Sequence, residues 1–208
     1  MAEATVIAVL GAESTGKSTL ALALQQALAA QGRRVAQVGE VLREFCDARG
    51  RTPHQHEQAG IAAEQTRRID DAARDHDIVV ADTTALQIAV YSEMVFGDRS
   101  LYDESLRAQA RCRHTLLCAL DLPWVADGLQ RDGPHVRQPV DTLLRAALQR
   151  HAPGYAVVAG QGTDRLAAAL AVLQPGAATW APPEVTRWHW VCERCGDADC
   201  ERHLLPRG

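Results

Sequence analysis

The sequence has no long apolar run. The longest near its start, "ATVIAVL" over Ala4 to Leu10, is too short to cross a bilayer, and no basic segment precedes it. A membrane-spanning helix and a secretory leader are therefore not expected, and the cytoplasm is the expected location. Positive charge is also in short supply. A formal net charge of −4 gives the chain no general attraction to nucleic acid or to an anionic membrane surface. No internal repeat is present, which argues against a solenoid. Cysteine is sparse until the end. Cys46, Cys112 and Cys118 stand singly in periodic or apolar stretches and read as buried thiols, whereas Cys192, Cys195 and Cys200 crowd the C-terminus. In a reducing compartment such crowding suggests a metal before a disulfide.

What is present is ordinary globular material. With 208 residues, 47% hydrophobic and 23% charged, the chain can build one α/β domain with a real core and a small appendage. Five short apolar runs read as strands: Thr5 to Leu10, Arg34 to Gly39, Asp77 to Asp82, His114 to Leu120 and Tyr155 to Gly160. Their lack of alternation suits strands buried on both faces of a parallel sheet. Helical stretches separate them. Lys17 to Gln31 stops at Gly32; Thr52-Pro53 opens a polar helix running to about Asp75, with Pro53 in its first turn. Ala85 to Phe96, Asp103 to Arg113, Val136 to His151 and Asp164 to Leu173 complete the set. Regular alternation of strand and helix implies right-handed crossovers and an α/β fold. After Leu173, "QPGAATWAPPEV" reads as a linker, so residues 1–174 are expected to form one domain and 175–208 a linker and tail.

Between the first strand and the first helix, "GAESTGKST" places Gly11, Gly16, Lys17 and Ser18 in the pattern G-x-x-x-x-G-K-[ST]. Glycines let backbone N–H groups turn inward around phosphates, and the helix N-terminus adds a fixed positive end. Gly11, Glu13, Ser14, Thr15, Gly16, Lys17, Ser18 and Thr19 are therefore expected to hold a nucleoside triphosphate. Lys17 would reach the β- and γ-phosphates, and the Ser18 hydroxyl would ligate Mg²⁺. The competing reading is a glycine turn on a fold that binds no nucleotide.

Ligands of open parallel sheets gather where the strands end. Glu40 follows the second strand and Asp82 ends the third. Two carboxylates facing Lys17 suit a kinase, Glu40 accepting a proton from an acceptor hydroxyl and Asp82 assisting Mg²⁺. Their bland counterparts are a helix-start carboxylate at Glu40 and an N-cap at Asp82. "DLPWVADGLQRDGPHVRQ", Asp121 to Gln138, follows the fourth strand as a loop of lid length. Its Arg131 is expected to stabilise the phosphoryl group in flight and Arg137 to contact the nucleotide, against the alternative of charges facing water. Trp124, at the loop's base, offers either a stacking face for a cationic ring or a packing residue.

These segments, taken in order, resemble one family. "GAESTGKSTLA", the E-x-x-R-E at Glu40 to Glu44, the helix around "EQTRRID", "ADTTALQIAVYSEMVFG" with "DR" after it, and "PWVADGL" are similar to the ribosylnicotinamide kinase domain of the bacterial bifunctional enzyme that also adenylylates nicotinamide mononucleotide. The resemblance spans about Val6 to Leu173. It implies a P-loop kinase fold on a five-stranded parallel sheet, and ATP-dependent phosphorylation of nicotinamide riboside. Glu40, Arg43, Trp124 and Asp127 are expected to meet that substrate. Three features depart from the family pattern. Only ten residues precede Gly11, so the adenylyltransferase domain is expected to be absent. Gln130 stands where the lid arginine usually follows "DGL", with Arg131 one place later. The cysteine-rich tail is foreign to the family.

In that tail Cys192, Cys195, Cys200 and His203 form C-x2-C-x4-C-x2-H. Three thiolates and one imidazole in two close pairs suit a tetrahedral structural Zn²⁺, the alternative being a frayed end with reactive thiols. Two other function classes stay open beside the kinase: a slow NTP-dependent switch that binds a partner through the tail, and a nucleic-acid-linked NTPase using a zinc knuckle. The second is disfavoured, since Glu184 to Gly208 holds five acidic and four basic residues rather than a basic stripe.

Overall fold

In the computed structural model, described for residues 4–125, 133–151 and 154–173, the five apolar runs pair as one parallel sheet. The strands are β1 (Thr5–Leu10), β2 (Val35–Val38), β3 (Ile78–Asp82), β4 (His114–Cys118) and β5 (Ala156–Val158), in the order β2-β3-β1-β4-β5. The helices are α1 (Lys17–Ala29), α2 (Val41–Arg49), α3 (Gln55–Asp75), α4 (Ala85–Phe96), α5 (Tyr102–Gln109), α6 (Arg137–His151) and α7 (Gly162–Leu173). The chain divides into two units, Met1–Pro175 and Gly176–Gly208, and all described residues belong to the first. None of the described helices is long and apolar enough to cross a membrane.

Successive strand residues point to opposite faces, and here both faces are covered. Ile7 and Val9 of β1, Ile78 and Val80 of β3, and Leu116 and Cys118 of β4 pack with Leu20, Leu24 and Leu28 of α1 and Ala169 of α7. On the other face, Leu10 and Leu117 pack against Leu86 and Val90 of α4 and Val140, Leu144 and Leu148 of α6. Fully burying one such leucine is worth about 1.5–3 kcal/mol. Non-alternating apolar runs are what this two-sided burial requires, which is why the strands were legible.

Three local differences from the sequence expectations have physical causes. Helix α2 forms directly after β2, a segment not counted among the expected helices although Glu40 was offered as a helix-start carboxylate; Gly50, at φ 64°, ends it with its N–H on the Cys46 carbonyl. Helix α3 starts at Gln55, so Pro53 lies outside it. His54 is the N-cap, and the Glu57 carboxylate reaches back to accept its N–H at 2.7 Å. Asp82 is not the cap of α4 either, because Thr84 holds that position.

Candidate active site

Because the strand order is β2-β3-β1-β4-β5, the segments after the strands line up in space as Glu40, Asp82, the phosphate loop, Asp121 and Gly160. The central one, the loop after β1, is built on two glycines in left-handed or nearby conformations, Gly11 at φ 152° and Gly16 at φ 76°. A Cβ at Gly11 would meet Thr15 Oγ1 at 2.8 Å and Cys118 Cβ at 3.0 Å, so only glycine fits there. Burial against this loop pushes the Cys118 thiol up to about 11. The loop is tied internally and from behind. Thr15 Oγ1 donates to the Ala12 carbonyl at 2.7 Å, and Gln87 Oε1 of α4 accepts the Gly11 N–H at 3.3 Å. Lys17, 7% exposed, spends one of its three donors on the Ala12 carbonyl at 3.1 Å. It is also the only lysine in a chain otherwise supplied with arginine. That singularity is a signal the motif alone does not use.

Two clefts open from this centre. The first, of about 520 Å³, is lined by Ser14 to Thr19 of the loop, by Arg43, and on its far side by Leu122, Pro123, Val125 and Gln161. The second, of about 440 Å³, lies toward β2 and α3. Its wall includes Glu13, Lys17, Glu40, Arg43, His54 and Tyr91. Lys17 and Arg43 line both. The clefts are neighbours that share a cationic border.

Glu40 stands at the N-cap of α2, yet its side chain makes no capping hydrogen bond. Its carboxylate is 8% exposed, lines the second cleft and meets the Arg43 guanidinium at 3.5 Å. Its backbone setting is fixed by a residue that sequence reasoning missed. Gln65 of α3, fully buried, donates to the Gly39 carbonyl at 3.1 Å and accepts the Val41 N–H at 2.9 Å, clamping the chain on both sides of Glu40. The only sequence hint was a glutamine on the apolar stripe of a polar helix. Glu13, expected with the phosphate ligands, lines the second cleft beside Glu40. The opposite wall is stiffened by Glu57, which holds the Arg51 guanidinium at 2.7 and 2.8 Å. Arg51, and next the His54 N–H, bring the Glu57 carboxyl down to about 2.

Asp82 is 4% exposed at the end of β3, in register with Val9 of β1, and its Oδ1 has no hydrogen-bond partner among the described residues. The next residue, Thr83, holds φ 80°, a costly conformation for a β-branched side chain. Trp124 is half-buried and lines neither cleft; aromatic surface at the second cleft comes from Tyr91 and Phe96. Arg137 begins α6, half-buried and lining neither cleft. Asp127 and Arg131, and the tail residues Cys192, Cys195, Cys200 and His203, lie outside the described residues. Among the described residues no three His, Cys, Asp or Glu side chains converge as a metal-binding group.

The other end of the first cleft depends on a second residue that the sequence did not reveal. Arg165 of α7, 4% exposed, donates to the Thr15 carbonyl, to the Gly160 carbonyl at 2.7 Å and to the Asp121 carboxylate. Asp121 Oδ2 also accepts the Gly160 N–H at 2.6 Å. Burial by itself would raise the Asp121 carboxyl; the Gly160 N–H and the Arg165 charge outweigh it and hold the group below its usual range.

No curated protein matches the chain. Solved structures share its fold. A NadR protein in complex with NAD and AMP-PNP aligns with a TM-score of 0.65 at 18% identity, over 82% of this chain and 48% of that one. A NadR protein in complex with NR aligns with a TM-score of 0.66 at 18% identity, with the same coverage. The chain thus spans about half the length of these structures, 48%, and at this identity the likeness is one of fold. A family described as AAA domain matches residues 6–165, which contain the phosphate loop, both clefts and Arg165, and the chain belongs to this AAA-domain family.

Proposed function

We propose that the chain is an ATP-dependent small-molecule kinase that phosphorylates the ribose 5′-hydroxyl of nicotinamide riboside. The observation that carries this reading is the pair of clefts meeting at Lys17 and Arg43, one built on a phosphate loop and the other lined by carboxylates. A switch needs only the first. The NR-bound NadR structure, sharing the fold, supports a nucleoside as the small-molecule substrate.

In this reading Gly11 to Thr19 cradle the triphosphate, and Lys17 and Arg43 neutralise charge on the γ-phosphoryl where the clefts meet. Glu40 takes the proton of the 5′-hydroxyl as its oxygen bonds to the γ-phosphorus and the bond to the β-phosphate oxygen breaks, releasing ADP. Mg²⁺ fits the donor set: the Ser18 hydroxyl and the partnerless buried Asp82 oxygen are hard oxygen donors. When bound it screens the phosphate charges. Glu13 and Glu40 put negative charge, and Tyr91 and Phe96 aromatic surface, around the second cleft. That combination favours a flat cationic ring. Contacts from Arg131 and Asp127, and a zinc-holding tail from residue 175 onward, belong to the same proposal.

The test is ATP consumption by the full chain with a panel of nucleosides and mass detection of the product, Lys17→Ala serving as the silent control. Consumption proportional to added nicotinamide riboside, with one phosphate appearing on it, is expected. Turnover with a different nucleoside would reassign the acceptor. Tight nucleotide binding with no acceptor phosphorylated would replace the kinase by a switch.

A further inference from the structure

We infer that Arg165 is a positioning residue that sets the base-side wall of the nucleotide cleft, by locking the segments after β4 and β5 to the phosphate loop. The inference rests on ATP being the bound nucleotide, as proposed above.

Arg165 is nearly fully buried, at 4% exposure, and its guanidinium reaches three acceptors on three separate segments. They are the carbonyl of Thr15 in the phosphate loop, the carbonyl of Gly160 after β5, and the carboxylate of Asp121 after β4. The Asp121 carboxylate closes the ring by accepting the Gly160 N–H. One ion pair, buried on its arginine side and partly open to solvent on its Asp121 side, therefore joins the loop to both of its neighbours on the β4–β5 side of the sheet. The packing there is close. A Cβ on Gly16 would come within 3.1 Å of Leu122 Cδ1 and 3.4 Å of Arg165 Nη1.

The residues next to those ties are cleft residues: Leu122 and Pro123 follow Asp121, and Gln161 follows Gly160. The end of the nucleotide that faces them follows from the second cleft. That cleft lies on the β2–α3 side and shares Lys17 and Arg43 with the first, so the γ-phosphate belongs at that border. The triphosphate then runs along the loop, and the nucleoside end arrives at Leu122, Pro123 and Gln161. Two apolar side chains and an amide suit a base; the phosphates are served by the loop itself. Arg165 thus acts on the nucleoside end through residues 121–123 and 160–161, without touching the nucleotide.

Guanidinium geometry is essential to this role. A planar fork can serve three fixed acceptors at once, whereas a lysine ammonium in the same place keeps the charge but not the reach. Arg165→Lys therefore separates positioning from charge. Calorimetric titration of the full-length protein with ATP and, separately, with inorganic tripolyphosphate reads the difference, with thermal unfolding followed in parallel. The expected result for Arg165→Lys is ATP binding weakened about tenfold and tripolyphosphate binding by less than about twofold. Asp121→Asn keeps both carbonyl bonds of Arg165 and is expected to show the same selectivity at smaller amplitude; it stands in if Arg165→Lys does not fold. Equal weakening of both ligands, or unchanged ATP binding in a folded variant, would overturn the inference. No acceptor is present in these titrations, so their outcome is independent of whether nicotinamide riboside is phosphorylated.

Discussion

At the N-cap of a helix a short polar side chain ordinarily turns back to accept an N–H of the first turn. Glu40 occupies that position on α2 without doing so, and its carboxylate instead lines the second cleft beside Arg43. A buried carboxylate withheld from the local hydrogen bond open to it is a candidate proton acceptor. Glu40→Gln preserves shape and removes that capacity. It is expected to lower kcat by about a hundredfold or more while calorimetric ATP affinity stays near wild type. If Glu40→Gln keeps full kcat and Asp82→Asn loses it with Mg²⁺ dependence unchanged, the two roles are exchanged. Trp124 makes the opposite point. Its chemistry offered either a stacking face or a packing residue, and its half-buried ring lines neither cleft.

Helix α3 serves the site along its length. Its buried stripe, Gln58, Ile61, Ala62, Gln65 and Ile69, follows helical spacing and includes two glutamines. Gln65 is there because the two backbone groups flanking Glu40 need a buried donor and acceptor. At its N-terminus, Glu57 joins Arg51 to His54, two residues of the second cleft's wall. Glu57 titrates at about 2 in the fold against an ordinary 4.5, so between those values the unfolded chain binds the extra proton. Its stabilising contribution is complete above the ordinary value and is lost as pH falls through about 2. The prediction is a stability gap between wild type and Glu57→Gln that is constant near neutrality and closes on acidification below about 4.5. Urea unfolding across that range measures it. A gap that widens on acidification would show that Glu57 has another role. Salt is expected to narrow the gap at all pH values, because the Arg51–Glu57 pair is partly exposed.

Over the described residues, the five strand ends form one row, with the second cleft toward β2 and Leu122, Pro123 and Gln161 of the first cleft toward β5. Everything that builds this row lies within Met1–Pro175, and the family match ends at residue 165. A chain cut after Leu173 is therefore expected to unfold cooperatively and to keep ATP affinity within about twofold of the full chain. Elemental analysis of the full chain under reducing conditions is expected to find one zinc, lost in Cys195→Ser. A folded but inactive truncation would give the tail a part in the reaction, and absence of zinc would remove the proposed knuckle.

What the sequence determined by itself was whatever depends on neighbours along the chain. Strand β1 and helix α4 fall at the residues expected, and the phosphate-loop pattern was legible because its glycines, lysine and hydroxyls lie within nine consecutive residues, Gly11 to Thr19. Parallel strands place their carboxyl ends together, which set Glu40 and Asp82 at neighbouring strand ends; Glu40 lines the second cleft, whereas Asp82 lines neither. Tertiary structure alone decided which distant side chains complete the site. Gln65 lies 24 residues from Val41, Gln87 lies 76 from Gly11, and Arg165 lies 150 from Thr15. Each satisfies a backbone group of the site from another element. Such partners leave at most a faint local hint, such as Gln65 on the apolar stripe of α3, because a glutamine or arginine does not name in sequence the carbonyl it will meet. The difference is burial, and only the packing of helices on both faces of the sheet creates it.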